Sequence, residues 1–406
     1  MYRSMKKVLN KNKFLIIVLI VISFFGNKVN ALTNEEKLEK TYPLMVTNRN
    51  FSNFSQNKNF IIFLIDCVDS KKFNKVLNNS IYKNSFKDFT YFPDTTSYYL
   101  YTRESIPLIL TGIPNYNEDD YNTYYNKAFD NSLLINELKN KNYEINIYDH
   151  ELKWTTKNVN IIQNVDNLSN QTGFIYNAKC ALQKLGNSYF PFIFNIFPSL
   201  KNLNCNNTTE IDYSNIYSWD DIDSYNLILN SVVTKTDKNQ FKFIHVNGSH
   251  APYNIDAELN RVSENKSSYE TEILASIKLV NTYIDLLKRN NLYDNTAFII
   301  MADHGYAFEE RIGRQNPVFL VKGINENHDK MNISNKKVSH IDLIDAYKLL
   351  LDDKKSTDLF QNISNNRIRK IIYYVFKKED HMIEYSLNGH AWENNKMVKT
   401  GKEYNR

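Results

Sequence analysis

Two apolar runs far apart in the chain, each ending on an acidic residue, constrain the fold more than any other feature. Ile299-Ile300-Met301-Ala302 leads straight into Asp303-His304-Gly305, and Asn59-Phe60-Ile61-Ile62-Phe63-Leu64-Ile65 leads into Asp66. Short unbroken apolar runs suit strands buried on both faces, as in parallel sheets, and such sheets gather their functional groups at the carboxyl ends of their strands. Asp66 and the Asp303-His304 pair are therefore expected to converge. A strand-end Asp or His also serves to bind turn backbone, so the reading depends on partners.

Two further segments supply them. Thr102-Arg103-Glu104-Ser105-Ile106-Pro107-Leu108-Ile109-Leu110-Thr111-Gly112 reads as a polar turn running into a short apolar helix closed by Gly112. Ser105 is the expected N-cap and Pro107 falls in the first turn, where its missing N–H costs little. Thr102 would then stand just ahead of a helix N-terminus, where free N–H groups and the dipole favour an anion. Phe241-Lys242-Phe243-Ile244 leads into His245-Val246-Asn247-Gly248-Ser249-His250-Ala251-Pro252-Tyr253, which places His250 at a turn. His245 reads as a satisfied strand residue, and Asp69 as the cap of a helix from Ser70 to Leu77.

Helix and strand patterns alternate between these segments. Ser132 to Lys139 looks helical and Tyr143 to Tyr148 strand-like, and a helix from Glu270 to Arg289 delivers the chain into the strand Phe298 to Met301. This is the layout of an α/β fold with a largely parallel sheet sandwiched by helices. After Arg367 the runs Ile371 to Phe376 and Met382 to Leu387 suggest a small antiparallel C-terminal appendage.

In content and order these pieces resemble the alkaline phosphatase superfamily, and within it the sulfatase-like branch that includes bacterial phosphoethanolamine and phosphoglycerol transferases. The resemblance runs from about residue 56 to 365 and includes Val338-Ser339-His340-Ile341-Asp342-Leu343, in which His340 reads as structural. It implies an alkaline phosphatase-like fold. It also implies one divalent metal held by Asp66, Thr102, Asp303 and His304, with Thr102 as nucleophile and His250 as proton donor or charge stabiliser. Arg311 and Arg314, shortly after the metal motif, are the candidate anion-binding guanidiniums. Two carboxylates with an imidazole suit Zn²⁺ or Mn²⁺, whereas an all-oxygen set would suit Ca²⁺ or Mg²⁺. A threonine hydroxyl needs such activation, being a poor nucleophile near neutral pH.

The departures from that pattern narrow the activity. Formylglycine sulfatases carry Cys-x-Pro-x-Arg or Ser-x-Pro-x-Arg at the nucleophile, and Thr102-Arg103-Glu104-Ser105-Ile106 has neither the Cys nor the Pro and Arg. An unmodified Thr resembles the transferases instead, although those usually carry several membrane spans. Tyr306 stands where many relatives have Glu, and Ala251 where the ethanolamine enzymes often have Gly. The expected activity is transfer of a phosphoethanolamine- or phosphoglycerol-type group to a cell-envelope glycan or lipid. The alternatives are ester hydrolysis with water as acceptor and an inactive polysaccharide-binding relative.

Residues 1–31 read as a signal peptide or N-terminal anchor. Arg3, Lys6, Lys7, Lys11 and Lys13 precede the apolar run Phe14 to Phe25, which is short for a membrane span of roughly 20 residues, and Val29-Asn30-Ala31 fits a cleavage site. Either reading puts the rest outside the cytoplasm, in the periplasm or on the extracytoplasmic face of a bacterial membrane. Envelope phospholipid, glycolipid or polysaccharide and the membrane surface are then the expected partners. The domain plan is a linker at 32–57, centred on Thr47 to Asn57, a catalytic domain at 58–366 with an insertion at about 154–221, and the appendage at 367–406.

A net charge of +5, from 50 basic and 45 acidic residues, gives no footprint for nucleic acid. The 28 Tyr and 24 Phe, with abundant Asn, Lys and Ile, fit the codon bias of an AT-rich bacterial genome. Of the three cysteines, Cys180 and Cys205 flank the aromatic run Phe190 to Phe197 and are placed to close it as a disulfide in an oxidising compartment. Cys67 reads as a small buried residue that stays reduced, with thiolate ligation of the neighbouring metal as the alternative.

Overall fold

The computed structural model of the chain describes residues 44–115, 119, 121–150, 152, 157–167, 215–306, 313–375 and 378–405. The chain divides into two units, Met1–Met45 with Asp166–Tyr213, and Val46–Val165 with Ser214–Arg406. Of the first unit only residues 44, 45, 166 and 167 are described; the central sheet, its helices and the site all belong to the second. The N-terminal leader, Cys180, Cys205, the run Phe190 to Phe197 and Arg311 lie outside the described residues.

The centre is a mixed, mostly parallel seven-stranded sheet. In chain order its strands are β1 (Asn59–Ile65), β2 (Thr90–Tyr91), β3 (Tyr143–Tyr148), β4 (Asn239–Val246), β5 (Thr296–Met301), β6 (Phe319–Lys322) and β7 (Asn332–Ile333). Across the sheet they run β7-β2-β6-β5-β1-β4-β3. The block β5-β1-β4-β3 is parallel throughout, while β6 runs antiparallel to both β5 and β2. Every residue of β1 and of β5 is buried. Because neighbouring side chains point to opposite faces, both faces must be covered, which is why these strands show no polar alternation.

Two groups of helices supply the cover. The first comprises α1 (Ser70–Asn78), α4 (Asp221–Leu229) and α5 (Tyr269–Arg289), with α5 packed against both of the others. The second comprises α2 (Thr102–Thr111), α3 (Leu133–Asn140) and α6 (Leu343–Leu351), which pack on one another. Their ends follow local rules. Asp69 caps α1 by accepting from the Lys72 N–H at 2.9 Å, Ser132 caps α3 and Ser268 caps α5. Gly112, at φ 72°, closes α2 in the left-handed conformation that glycine adopts without penalty.

The start of α2 corrects an expectation. Ser105 is not the N-cap: its N–H bonds to the Tyr101 carbonyl, its Oγ donates to the Tyr99 carbonyl at 3.1 Å, and the helix begins a turn earlier, at Thr102. A serine hydroxyl that finds a carbonyl in the segment ahead of the helix is compatible with the helix's first turns, so the residue type alone misplaced the boundary. Thr102 is thus the first residue of the helix rather than a residue ahead of it.

The expected linker is also corrected. Residues 53–55 pair with Thr234–Thr236 as a parallel ladder, and Phe51 and Phe54 are fully buried. Phe51 lies edge-on to Tyr148 and Tyr283, and the Lys242 ammonium sits 4.8 Å above the Phe54 ring. The Asn/Ser-rich composition suggested a spacer, yet its two phenylalanines anchor it in the core.

The C-terminal residues form a separate antiparallel sheet of β8 (Arg369–Val375), β9 (Lys378–Leu387) and β10 (Met397–Asn405). It docks on the segment that leads into α2. The Ile372 N–H donates to the Tyr98 carbonyl at 2.7 Å. Tyr98, Tyr99, Leu100 and Leu108 pack with Ile371, Ile372, Met382 and Leu387. Buried Arg369 pairs with Asp94 at 2.8 Å, and that carboxylate also accepts from His390 and from the Ala391 N–H.

If residues 47–57 belong to the core, Phe54→Ala will lower the unfolding free energy by roughly 3–5 kcal/mol, the cost of deleting a buried aromatic ring. Chemical denaturation measures this, and a loss within about 0.5 kcal/mol, the range of ordinary surface substitutions, would restore the linker reading.

Candidate active site

The site lies at the carboxyl end of the parallel block. Asp66 follows β1, Asp149 and His150 follow β3, His245 is the penultimate residue of β4, and Asp303 and His304 follow β5. Register fixes their neighbours, since Leu64 pairs with His245, Ile65 with Val246 and Tyr148 with Ile244. Thr102 is brought in from the side by α2.

Asp66, Asp303 and His304 are buried together. His304 Nε2 lies 3.4 Å from Asp303 Oδ2 and 3.9 Å from Asp66 Oδ1. Its Nδ1 donates to the Gly305 carbonyl at 2.8 Å, which leaves the Nε2 lone pair facing the carboxylates. Asp303 Oδ1 is held by the N–H groups of Cys67 and His304 at 3.2 and 2.9 Å, so its other oxygen faces the pocket. Thr102 Oγ1 donates to Asp66 Oδ2 at 3.4 Å, and His245 Nε2 stands 3.8 Å from that same oxygen. His245 Nδ1 is hydrogen-bonded to Asp149 Oδ1 at 2.8 Å.

Burial alone would raise the Asp66 pKa, but His245 and His304 hold it below the usual carboxylate range. Asp303 is pushed the other way, first by burial and then by the charge of Asp66. Burial and the nearby Arg314 guanidinium push His304 down to about 3. For His245, burial would lower the value, but Asp149 and Asp66 prevail and raise it to about 10. Two carboxylates a few ångströms apart away from water cannot both be anionic without compensating positive charge.

Three buried atoms, Asp66 Oδ1, Asp303 Oδ2 and His245 Nε2, have no hydrogen-bond partner among the described residues. A divalent cation satisfies such a donor set, and oxygen with imidazole nitrogen fits Zn²⁺ or Mn²⁺. The residues present therefore fit the metal that the sequence pattern implies.

The turn after β4 props up Asp66. Ser249 N–H donates to the Asp66 carbonyl at 3.0 Å, and Gly248 N–H to Asp221 Oδ1 at 3.0 Å. Gly248 has φ 63°, and a Cβ there would stand under 3.0 Å from the backbone N and O of Asp66. Two carboxylates thus serve the loop rather than the chemistry, because buried Glu272 also accepts the N–H groups of Asn254 and Ile255.

Arg314 donates to His304 Nε2 at 3.3 Å and lies 4.9 Å over the Tyr101 ring, which places it in the pocket. His250 takes a different position. It is exposed, and its Nδ1 is satisfied by the adjacent Ala251 carbonyl at 2.8 Å. The imidazole that faces the pocket is His245, which the sequence pattern marked as a satisfied strand residue; its partner Asp149 was not singled out. The signal was there: a histidine in an otherwise apolar strand end needs a buried partner, and Asp149 ends the neighbouring strand. Cys67 is a buried free thiol, and His340 is buried at the turn before α6.

The sulfatase family profile matches residues 58–348, and the chain belongs to that family. No curated protein matches the sequence. Among solved structures the chain is similar to an alkaline phosphatase superfamily protein from Vibrio parahaemolyticus, with 14% identity, 88% of this chain and 81% of that one covered, and a TM-score of 0.48. It is also similar to the C-terminal periplasmic domain of EcEptC from Escherichia coli, with 12% identity, coverage of 88% and 95%, and a TM-score of 0.43. A third is a phosphonate monoester hydrolase from Silicibacter pomeroyi, with 10% identity, coverage of 84% and 88%, and a TM-score of 0.40. The chain is therefore an enzyme of the sulfatase kind, on a mostly parallel α/β sheet that carries residue groups able to hold a metal ion.

Gly248→Ala will displace Asp66, costing roughly 2–4 kcal/mol of stability through a left-handed backbone and a backbone clash together. Denaturation read beside bound-metal analysis should show both the stability and the metal content falling. Retention of both would mean that the turn does not position Asp66.

Proposed function

We propose that this enzyme transfers a phosphoethanolamine- or phosphoglycerol-type group through Thr102 to a glycan or lipid of the cell envelope. The observation that carries the reading is Thr102 itself. An unmodified hydroxyl at the first position of α2 points at Asp66, in the place where formylglycine sulfatases carry Cys or Ser. The export signal read in residues 1–31 supports a site of action outside the cytoplasm.

In this reading Asp66, Asp303 and His304 hold a divalent cation, which supplies positive charge against the negative charge that develops in the transition state. Thr102 Oγ1, oriented by its hydrogen bond to Asp66 Oδ2, forms a bond to phosphorus while its proton passes to water. The bond from phosphorus to the ester oxygen breaks, and the departing oxygen takes a proton from His245 Nε2. Asp149 orients His245 throughout from the Nδ1 side. Arg314 binds the remaining anionic oxygens. In the second half the acceptor hydroxyl gives its proton to His245, its oxygen bonds to phosphorus, the Thr102 ester bond breaks, and Thr102 regains a proton from water.

Intact-mass measurement after incubation with phosphatidylethanolamine and with phosphatidylglycerol tests this, wild type beside Thr102→Ala. The expected result is one head-group phosphate adduct on wild type alone, which also identifies the donor. An adduct on both proteins would remove Thr102 from the role. Release to water of phosphoethanolamine or phosphoglycerol from the donors, or of sulfate from sulfate esters, with no transfer to any acceptor, would favour a hydrolase. No adduct and no turnover would leave a polysaccharide-binding relative.

A further inference from the structure

Two strands of the sheet end in the same dipeptide. Asp303-His304 follows β5, and Asp149-His150 follows β3, on the far side of β1 and β4. The second pair meets His245. Asp149 Oδ1 lies 2.8 Å from His245 Nδ1 and 3.8 Å from His150 Nδ1, and one donor atom from each of the three residues falls within 4.8 Å of the others. The side chains of Asp149 and His245 are fully buried and that of His150 is 26% exposed. His150 is fixed by stacking on Trp219, with ring centres 3.9 Å apart.

We propose that Asp149, His150 and His245 form a second divalent-cation site, separate from that of Asp66, Asp303 and His304. An Asp149–His245 hydrogen bond accounts for one of these contacts. The second imidazole is held by Trp219 with its Nδ1 turned to the same carboxylate oxygen. Two imidazole nitrogens and one carboxylate oxygen form a donor set suited to Zn²⁺, and they lie within 4.8 Å of one another around one point.

The two sites meet at Asp66. Its Oδ1 lies 3.9 Å from His304 Nε2 and its Oδ2 3.8 Å from His245 Nε2. An ion on His245 Nδ1 leaves Nε2 facing Asp66 and puts a second positive charge on the side of the pocket away from His304. That charge would act on an oxyanion bound beside Thr102, as paired metal ions do in phosphoryl transfer. The inference shares His245 and Asp149 with the transferase reading, the ion taking the place of the hydrogen bond between them, and does not depend on Thr102.

The full chain is stripped with a chelator, reloaded with Zn²⁺ or Co²⁺, dialysed and assayed for metal per chain by mass spectrometry. The Co²⁺ form is also followed by its visible absorption, and folding by far-ultraviolet circular dichroism. Wild type should hold two ions. His150→Ala, which removes a partly exposed side chain, and Asp149→Asn should each hold one, and His304→Ala should lose the other ion. The double variant His150→Ala/His304→Ala should hold none. A wild type that saturates at one ion, or a His150→Ala protein that keeps two, overturns the proposal. Two ions without a Thr102 adduct would sink the transferase reading and leave the second site standing.

Discussion

A carboxylate taken out of water at the end of the central strand governs the arrangement around it. Asp66 closes β1, is 2% exposed, and has its two oxygens turned toward different imidazoles. Removing a carboxylate from water costs several kcal/mol unless opposite charge and hydrogen bonds compensate. Much of the site can be understood as that compensation: His245 and His304 on the two sides, the Thr102 hydroxyl, and the cation that the unpartnered oxygens require. The Ser249 N–H holds its main-chain carbonyl, which fixes where the side chain begins.

That constraint explains the tight turn after β4. Gly248 passes so close to the Asp66 backbone that no side chain fits, and Asp221 and Glu272 are buried to hold the same loop. Burial raises both of these carboxyls, Glu272 to about 7. Asp221 and Glu272 spend oxygens on main-chain N–H groups of this loop, whereas Asp66, Asp149 and Asp303 each have an oxygen turned to an imidazole at the strand ends.

The fold was largely legible because buried strands carry their own signature. β1 and β3 begin and end as the residue pattern predicted, and α5 differs by one residue at its start. Asp66, Thr102, Asp303, His304 and Arg314 were visible through strand ends and motif order, and the structure brings all five together. Less legible were features decided by partners distant in sequence. Phe51 and Phe54 turn a polar stretch into core, and Ser105 spends its hydroxyl on a carbonyl instead of a cap. β10 was missed because its run Met397-Val398-Lys399-Thr400-Gly401-Lys402-Glu403-Tyr404-Asn405 lies at the edge of the C-terminal sheet, is mostly polar and contains a glycine. The pairing of His245 with Asp149 went unseen for a related reason. Each is unremarkable alone, and only the β3 to β4 pairing sets one against the other.

The C-terminal sheet has a consequence for how the site comes into being. Tyr98 and Tyr99, just upstream of Thr102, are held by Ile372 and Met382, and Tyr101 packs against the same clusters. These contacts span most of the described chain, so the segment leading into Thr102 is packed partly by residues made long after it. During synthesis the central strands and α2 can assemble first, and the Tyr98 to Tyr101 segment gains its last packing partners only when β8 and β9 arrive. The surroundings of Thr102 are therefore completed last: a protein cut short before β8 would retain the central strands and leave Tyr98 and Tyr99 without these partners.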